Sequence, residues 1–258
     1  LTASGPITMD QGGSSILLSV PGASRPTVVD WGNRGLKDLF VADGTRNLHL
    51  FLNAGTDASP LFLDDEIHHQ LVTDLGGTPL DVGRKAVAFV VDWNRDGRKD
   101  LVVGDDSGKV KLYLNSGTDA APIFTTFSYL QYTLPGGAAG DIQQLAGFAA
   151  PLVVDWNGDG RKDLLVGDVN GDLWLYLNTG SDAAPVLGEG QQVLLPVRAV
   201  TANAIPFVAN WNGDGLPDLL LGGGNGKIYH YRNVGTETAP AFNRGSFSPL
   251  EADGVEIR

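Results

Sequence analysis

The sequence has no cysteine, one methionine and four histidines in 258 residues. Without cysteine there is neither a disulfide nor a thiolate metal site. The histidines, His49, His68, His69 and His230, are too few and too scattered along the chain to predict a histidine cluster. Positive charge is also scarce: 18 Lys and Arg against 30 Asp and Glu leave a formal net charge of −12. That sign cannot displace the counterions of nucleic acid or of an anionic membrane, and it leaves cations as natural partners. No apolar run approaches the roughly 20 residues of a spanning helix; the run from Ala86 to Trp93 is broken by Asp92. The chain begins at Leu1 with neither an initiator Met nor a charged-then-apolar leader, so it reads as a processed or excised soluble segment, with a secreted, extracellular or cell-surface location as the expectation. Catalytic signatures are missing too. There is no G-x-S-x-G and no H-E-x-x-H, and Gly222 to Lys227 fails the spacing of a phosphate loop and lacks Ser or Thr after Lys227. No nucleophile or activated base emerges, and the expectation is a protein that is not an enzyme.

What the chain does have is glycine, 35 residues, and 42% hydrophobic content, enough for a buried core in a turn-rich β protein. It also has a repeat. The phrase DWGNRGLKDL at 30 to 39 returns as DWNRDGRKDL at 92 to 101, DWNGDGRKDL at 155 to 164 and NWNGDGLPDL at 210 to 219, with starts 62, 63 and 55 residues apart. A short apolar strand precedes each copy and two follow, the second as LFVAD, LVVGD, LLVGD and LLLGG, the third as LHLFLN, VKLYLN, LWLYLN and IYHYRN. Between them lie turn residues such as Asp106-Ser107-Gly108 and Asn170-Gly171, which suit hairpins. Each third strand ends in a second shared phrase, Asn-x-Gly-[Thr/Ser]-[Asp/Glu]-x-x-Pro, at 53 to 60, 115 to 122, 178 to 185 and 233 to 240. A variable segment then offers a fourth, outer strand.

Four-stranded antiparallel units of this length are the signature of β-propeller blades. The predicted fold is therefore all-β: one β-propeller domain over 1–258 with four recognisable four-stranded blades, at about 25–85, 86–148, 149–203 and 204–258. Outer-strand candidates number five, at 14 to 20, 61 to 85, 123 to 145, 186 to 200 and 241 to 258. One is surplus: residues 1–20 or the C-terminal segment closes the last blade, the two make a rudimentary fifth blade, or the spare strand is donated to a neighbouring molecule.

The loop D-x-N-x-D-G-x-x-D has the spacing of a cation cage. Oxygen side chains at positions 1, 3 and 5 face one concavity, Gly at 6 permits the sharp turn, a carbonyl at 7 points inward and a carboxylate at 9 closes the site. Hard oxygen donors without His or Cys suit Ca²⁺. The third repeat supplies Asp155, Asn157, Asp159, the Arg161 carbonyl and Asp163; the second supplies Asp92, Asn94, Asp96, the Arg98 carbonyl and Asp100. The fourth offers Asn210, Asn212, Asp214, the Leu216 carbonyl and Asp218, one charge poorer and so of lower expected affinity. The first has Gly32 and Arg34 at positions 3 and 5 and is expected to hold no ion, with Arg34 placing its guanidinium between Asp30 and Asp38. An EF-hand is excluded, because position 12 is Val103, Val166 or Leu221 rather than Glu. A single such loop would read as an Asx-rich turn; two complete copies and one near-complete copy argue against coincidence.

WNGDGRKDLLVG with its neighbouring strands resembles the FG-GAP/VCBS repeat family, which includes integrin α-type propellers, secreted bacterial proteins and a fungal sugar-binding lectin. The resemblance covers four repeats, from about 25 to 245. It implies blades carrying Ca²⁺ in the loop between the first two strands, at the positions just named. This chain departs in showing four repeats where family propellers commonly have seven blades, and in the lost ligands of its first loop.

The loop tryptophans Trp31, Trp93, Trp156 and Trp211 are read as packing between blades, since the ligand-poor first loop keeps its own. Phe51, Tyr113, Tyr176 and Tyr231 share one third-strand position and are read as core. Their alternates Lys111 and Trp174 face the other way, and Trp174 is the aromatic first expected to meet a carbohydrate. Asp64, Asp65 and Glu66 beside His68 and His69 read as a solvated edge. The functional expectation is a secreted calcium-binding propeller acting as a non-enzymatic binding or adhesion module for a glycan or protein ligand. The alternatives are an extracellular assembly or filament subunit that uses a donated terminal strand, and the propeller part of a polysaccharide-active enzyme.

Overall fold

In the computed structural model the protein is described over residues 7–252 and 255–256, apart from Gly13, Ala23 and Leu145. Residues 1–6 of the N-terminal segment lie outside that range. Among the described residues the chain is all-β, with a single short 3₁₀ turn at Arg244–Ser246, and its architecture is of the β-propeller class: four four-stranded antiparallel sheets, each a blade-type meander.

The first sheet runs Arg25–Val29, Asp38–Ala42, Leu48–Phe51, His69–Leu71, and the second Val87–Val91, Asp100–Gly104, Val110–Asn115, Phe124–Tyr129. The third is Ala149–Val154, Asp163–Asp168, Leu173–Tyr176, Gln191–Gln192, and the fourth Ile205–Ala209, Asp218–Gly222, Ile228–Tyr231, Phe247–Pro249. The second strands are buried on both faces along nearly their whole length. This is why they read as unbroken apolar runs rather than as alternations. Three of the four outer strands are only two or three residues long, Gln191–Gln192 being fully on the surface, which protects an exposed edge from pairing elsewhere; Phe124–Tyr129 runs six.

The fourth strand of the fourth sheet comes from the C-terminal segment. The N-terminal segment instead forms a hairpin, Thr8–Gln11 with Ser14–Leu17, that joins Phe62–Leu63 in parallel as a separate three-stranded sheet. The one methionine, Met9, fastens it by packing with Leu39, Val41, Phe51 and Phe62.

By packing, the chain divides into two compact units, one of residues 1–92, 96–106 and 111–128, the other of 93–95, 107–110 and 129–258. The core of the first holds Trp31, Phe40, Leu48, Leu101, Tyr113 and Phe124. In the second, Leu164, Leu165, Leu173, Leu219, Leu221 and Tyr231 are among the largest fully buried side chains. The expected core row is present, since Phe51, Tyr113, Tyr176 and Tyr231 are all buried.

Two side chains depart from expectation. Lys111, read as facing outward, shares the strand face of Tyr113 two residues on and is buried: its ammonium lies 3.0 Å from the Asp105 carboxylate and 3.2 Å from the Asp81 carbonyl. A buried ammonium is tolerable only with such partners. Trp31 and Trp93 are buried as packing residues, but Trp211 is 48% exposed. In the first and third loops the backbone N–H of the tryptophan donates to the last loop aspartate, Trp31 to Asp38 and Trp156 to Asp163, both at 3.0 Å. In the fourth, that carboxylate oxygen of Asp218 accepts from the His230 ring at 3.0 Å and only weakly from the Asn212 N–H at 3.4 Å, so Trp211 is not drawn in.

Candidate functional site

The two repeated phrases turn out to be one device. The second-phrase asparagine is buried in all four repeats and donates its backbone N–H to the last loop aspartate: Asn53 to Asp38, Asn115 to Asp100, Asn178 to Asp163 and Asn233 to Asp218, at 2.7 to 2.8 Å. Its side-chain oxygen accepts from the glycine two residues on and from the residue eight on, for example Gly180 and Val186. The phrase's acid then grips the loop's eighth residue. Asp57, Asp119 and Asp182 accept from both the backbone N–H and the ammonium of Lys37, Lys99 and Lys162.

So held, the loops adopt a common shape. Position 6 has positive φ in every copy, at Gly35, Gly97, Gly160 and Gly215, and so does position 4, at Asn33, Arg95, Gly158 and Gly213. Position 4 also meets the second phrase of the next repeat: Asn33 donates to Asp119 at 2.7 Å, Arg95 lies 3.6 Å from Asp182, and Gly158 abuts Thr238.

In the third loop, Asp155 accepts the N–H groups of Asp159 and Gly160, while Asp163 accepts those of Trp156 and Asn178. Asp159 faces the Arg161 guanidinium at 2.6 Å, which also donates to the Asn178 carbonyl at 2.8 Å. The second loop repeats this: Asp92 accepts from Asp96 and Gly97, Asp100 from Asn115, and Arg98 bridges Asp96 and the Asn115 carbonyl. Asn94 and Asn157 lie on these loops at position 3, and the Asn157 side chain accepts the Asp159 N–H. Among the described residues no three His, Asp or Glu side chains stand gathered as a metal cluster, because the arginine at position 7 draws the position 5 carboxylate to itself. Each oxygen of Asp155 and Asp163 takes one N–H and keeps a second lone pair. Burial pushes the Asp163 carboxyl above the usual carboxylate range; the Asn178 and Trp156 N–H groups oppose this, and the charges of Asp159 and Asp155 add to it. A hard cation would relieve that charge, and the oxygen donors of Asp155, Asn157, Asp159 and Asp163 are of the type that suits Ca²⁺.

The first loop is closed by its own cation. Arg34 contacts Asp38 at 2.6 Å through its guanidinium and Asp30 at 2.8 Å through its backbone N–H. In the fourth, Asp214 is held below the carboxylate range by the Leu216 N–H and the Asn212 amide, and Asn212 donates to it at 2.8 Å. Asn210 is exposed, and the His230 contact leaves Asp218 a poorer ligand than Asp163.

A second row of polar residues went unread in the sequence. The acid ending the second strand pairs with the second residue of the third strand: Asp43 with His49 at 3.1 Å, Asp105 with Lys111 at 3.0 Å, Asp168 with the Trp174 indole N–H at 3.4 Å. Trp174 is one wall of a cleft of about 480 Å³ in the second unit, with Tyr132, Tyr176, Asp172, Gln143 and Glu189 among the others. Gly190 lies flat against the Tyr176 ring, where a Cβ would come within 2.7 Å of it. The signal for this row was the Asp, six residues before the strand position, in three of four repeats.

No family model and no curated protein matches the chain. Among solved structures, it is similar to the N-terminal part of BBS1 in complex with ARL6, at 15% identity over 90% of this chain and 58% of that one, with a TM-score of 0.40. It is similar to the Photorhabdus luminescens Tc holotoxin pore at 17% identity, over 81% of this chain and 10% of that one, with a TM-score of 0.41. An Agrocybe aegerita lectin that recognises non-reducing terminal N-acetylglucosamine is 17% identical over 91% of this chain and 70% of that one, with a TM-score of 0.38. The chain thus spans little more than half of the first of these and a tenth of the second.

Proposed function

We propose that this chain is a non-enzymatic, calcium-stabilised binding module of the cell exterior whose ligand is a carbohydrate. The cleft at Trp174 carries this reading. An indole of fixed orientation beside two tyrosines offers apolar faces to the C–H side of a sugar ring, while carboxylates and amides around it offer acceptors and donors to the hydroxyls. Resident Ca²⁺ would be held by Asp92, Asn94, Asp96, the Arg98 carbonyl and Asp100, and by Asp155, Asn157, Asp159, the Arg161 carbonyl and Asp163. Asn210, Asn212, Asp214, the Leu216 carbonyl and Asp218 form the weaker third site. The ion would supply positive charge that fixes each loop, and no chemistry passes through it.

A glycan array tests the ligand. Binding to a defined set of glycans is expected, and Trp174→Ala should weaken it by roughly tenfold or more, the worth of about 1.5 kcal/mol of lost aromatic contact. Silence across a broad array, or binding indifferent to the substitution, contradicts the assignment.

A second reading, self-assembly through the N-terminal segment, is favoured by one observation. Ser14–Leu17 is exposed along its whole length and ends its sheet, so its outer edge offers a ladder to another strand. Deleting residues 1–20 should then leave folded monomers where the full chain assembles; assembly that persists without the segment rejects it.

A further inference from the structure

Outside the loops and the cleft, two of the four histidines meet in the first unit. On the first sheet His69 pairs with Phe51 across the strands, and His49 lies two residues before Phe51 on the same face. His49 Nδ1 and His69 Nε2 come within 3.1 Å of each other. The outer nitrogen of each ring is taken: His49 Nε2 lies 3.1 Å from Asp43 and His69 Nδ1 lies 3.1 Å from Asp64. The array runs carboxylate, imidazole, imidazole, carboxylate. It is braced by Phe51 stacked on His69 at 4.2 Å, by Thr45 on Asp43 and by Gln11 on Asp64.

An imidazole that donates its outer N–H to a carboxylate presents a lone pair on its inner nitrogen. Here both rings are so fixed, and two lone pairs face each other. A positive species must lie between them, either a proton or a metal ion. Carboxylates behind ligating imidazoles are also what sets tautomer and basicity at metal centres. Two nitrogens each about 2.0 to 2.1 Å from a shared ion stand roughly 2.9 to 3.4 Å apart at angles between a right angle and tetrahedral, a window that contains the observed separation.

We infer that His49 and His69 form a two-imidazole site for a divalent transition metal of the Cu²⁺ or Zn²⁺ class, with Asp43 and Asp64 as positioning residues. Neutral imidazole selects such ions over Ca²⁺, so this site is chemically separate from the aspartate loops. His69 keeps a quarter of its side chain open to solvent, which admits the ion and the waters that complete its coordination. The neighbouring His68 is engaged by Asp65 at 2.8 Å and takes no part.

Cu²⁺ and Zn²⁺ titrations of the chelator-stripped full chain, with electron paramagnetic resonance of the Cu²⁺ form, test this. Expected are one tight ion per chain, coupling to two imidazole nitrogens, loss of that ion in His69→Phe, and affinity about 10- to 100-fold lower in Asp64→Asn. His68→Ala should leave it intact. No stoichiometric binding, a spectrum with one nitrogen or none, or full affinity in folded His69→Phe overturns the inference.

Discussion

Asp119 shows what a single residue contributes to the scaffold. Burial pushes its carboxyl up, yet the Lys99 ammonium, the Lys99 N–H and the Asn33 amide together hold it below the usual carboxylate range. Because the folded-state value is depressed, its contribution is fully present above the unfolded value of about 3.9 and is lost as pH falls through the folded one. Asp119→Asn should therefore cost about 1 to 3 kcal/mol at neutral pH, and denaturant titrations should show the gap to wild type closing on acidification. A gap constant with pH would mean that the side chain acts by shape alone. At this scale the sequence is least legible. Asp43 and His49, or Asp105 and Lys111, are ordinary strand-end residues until the hairpin register sets them side by side, and His69 reaches His49 only through a strand some twenty residues on. Lys111, two residues before Tyr113, shares that residue's strand face, so period 2 itself places it with the core row.

Among elements, the sheets were legible and the joints between them were not. Repetition of one phrase, flanked by apolar runs, fixed four meanders and three of their strands within a residue or two. The outer strands were placed only as broad windows, because Gln191–Gln192 and His69–Leu71 carry no pattern of their own and pair by proximity to the third strand. The second phrase looked like a turn ending in Pro. Its glycine has a steric reason: at Gly117 a Cβ would collide with the Ala121 carbonyl oxygen and come within 2.9 Å of the Ile123 nitrogen. Gly117→Ala should destabilise the chain by about 1 to 3 kcal/mol, the range of overpacking, and lower its melting temperature. An unchanged melting temperature would show that the bracket which holds Asp100 is slack. Position 4 of the loop was likewise unread, since its left-handed backbone is served by Asn33 and Arg95 as well as by glycine.

For the whole molecule, the four loops hold ten of the 30 acidic residues but also seven of the 18 basic ones, so they carry −3 of the net charge of −12, and in one of the four an arginine already closes the cage. The other three divide by how firmly their last carboxylate is committed, to backbone N–H groups in the second and third and to His230 as well in the fourth. Ions that bind only the folded chain stabilise it by mass action, about 2.7 kcal/mol per site at a hundredfold excess over the dissociation constant. Two such sites amount to roughly 5 kcal/mol, and at about 2 to 4 °C per kcal/mol for a chain of this size the melting temperature should rise by roughly 10 °C or more. Thermal unfolding of the full chain in Ca²⁺ and in chelator, alongside a chain carrying Asp96→Asn and Asp159→Asn, is the most direct test of the account. It predicts a large rise with Ca²⁺ in the wild type and little in the variant; equal melting temperatures in Ca²⁺ and chelator for the wild type would contradict it.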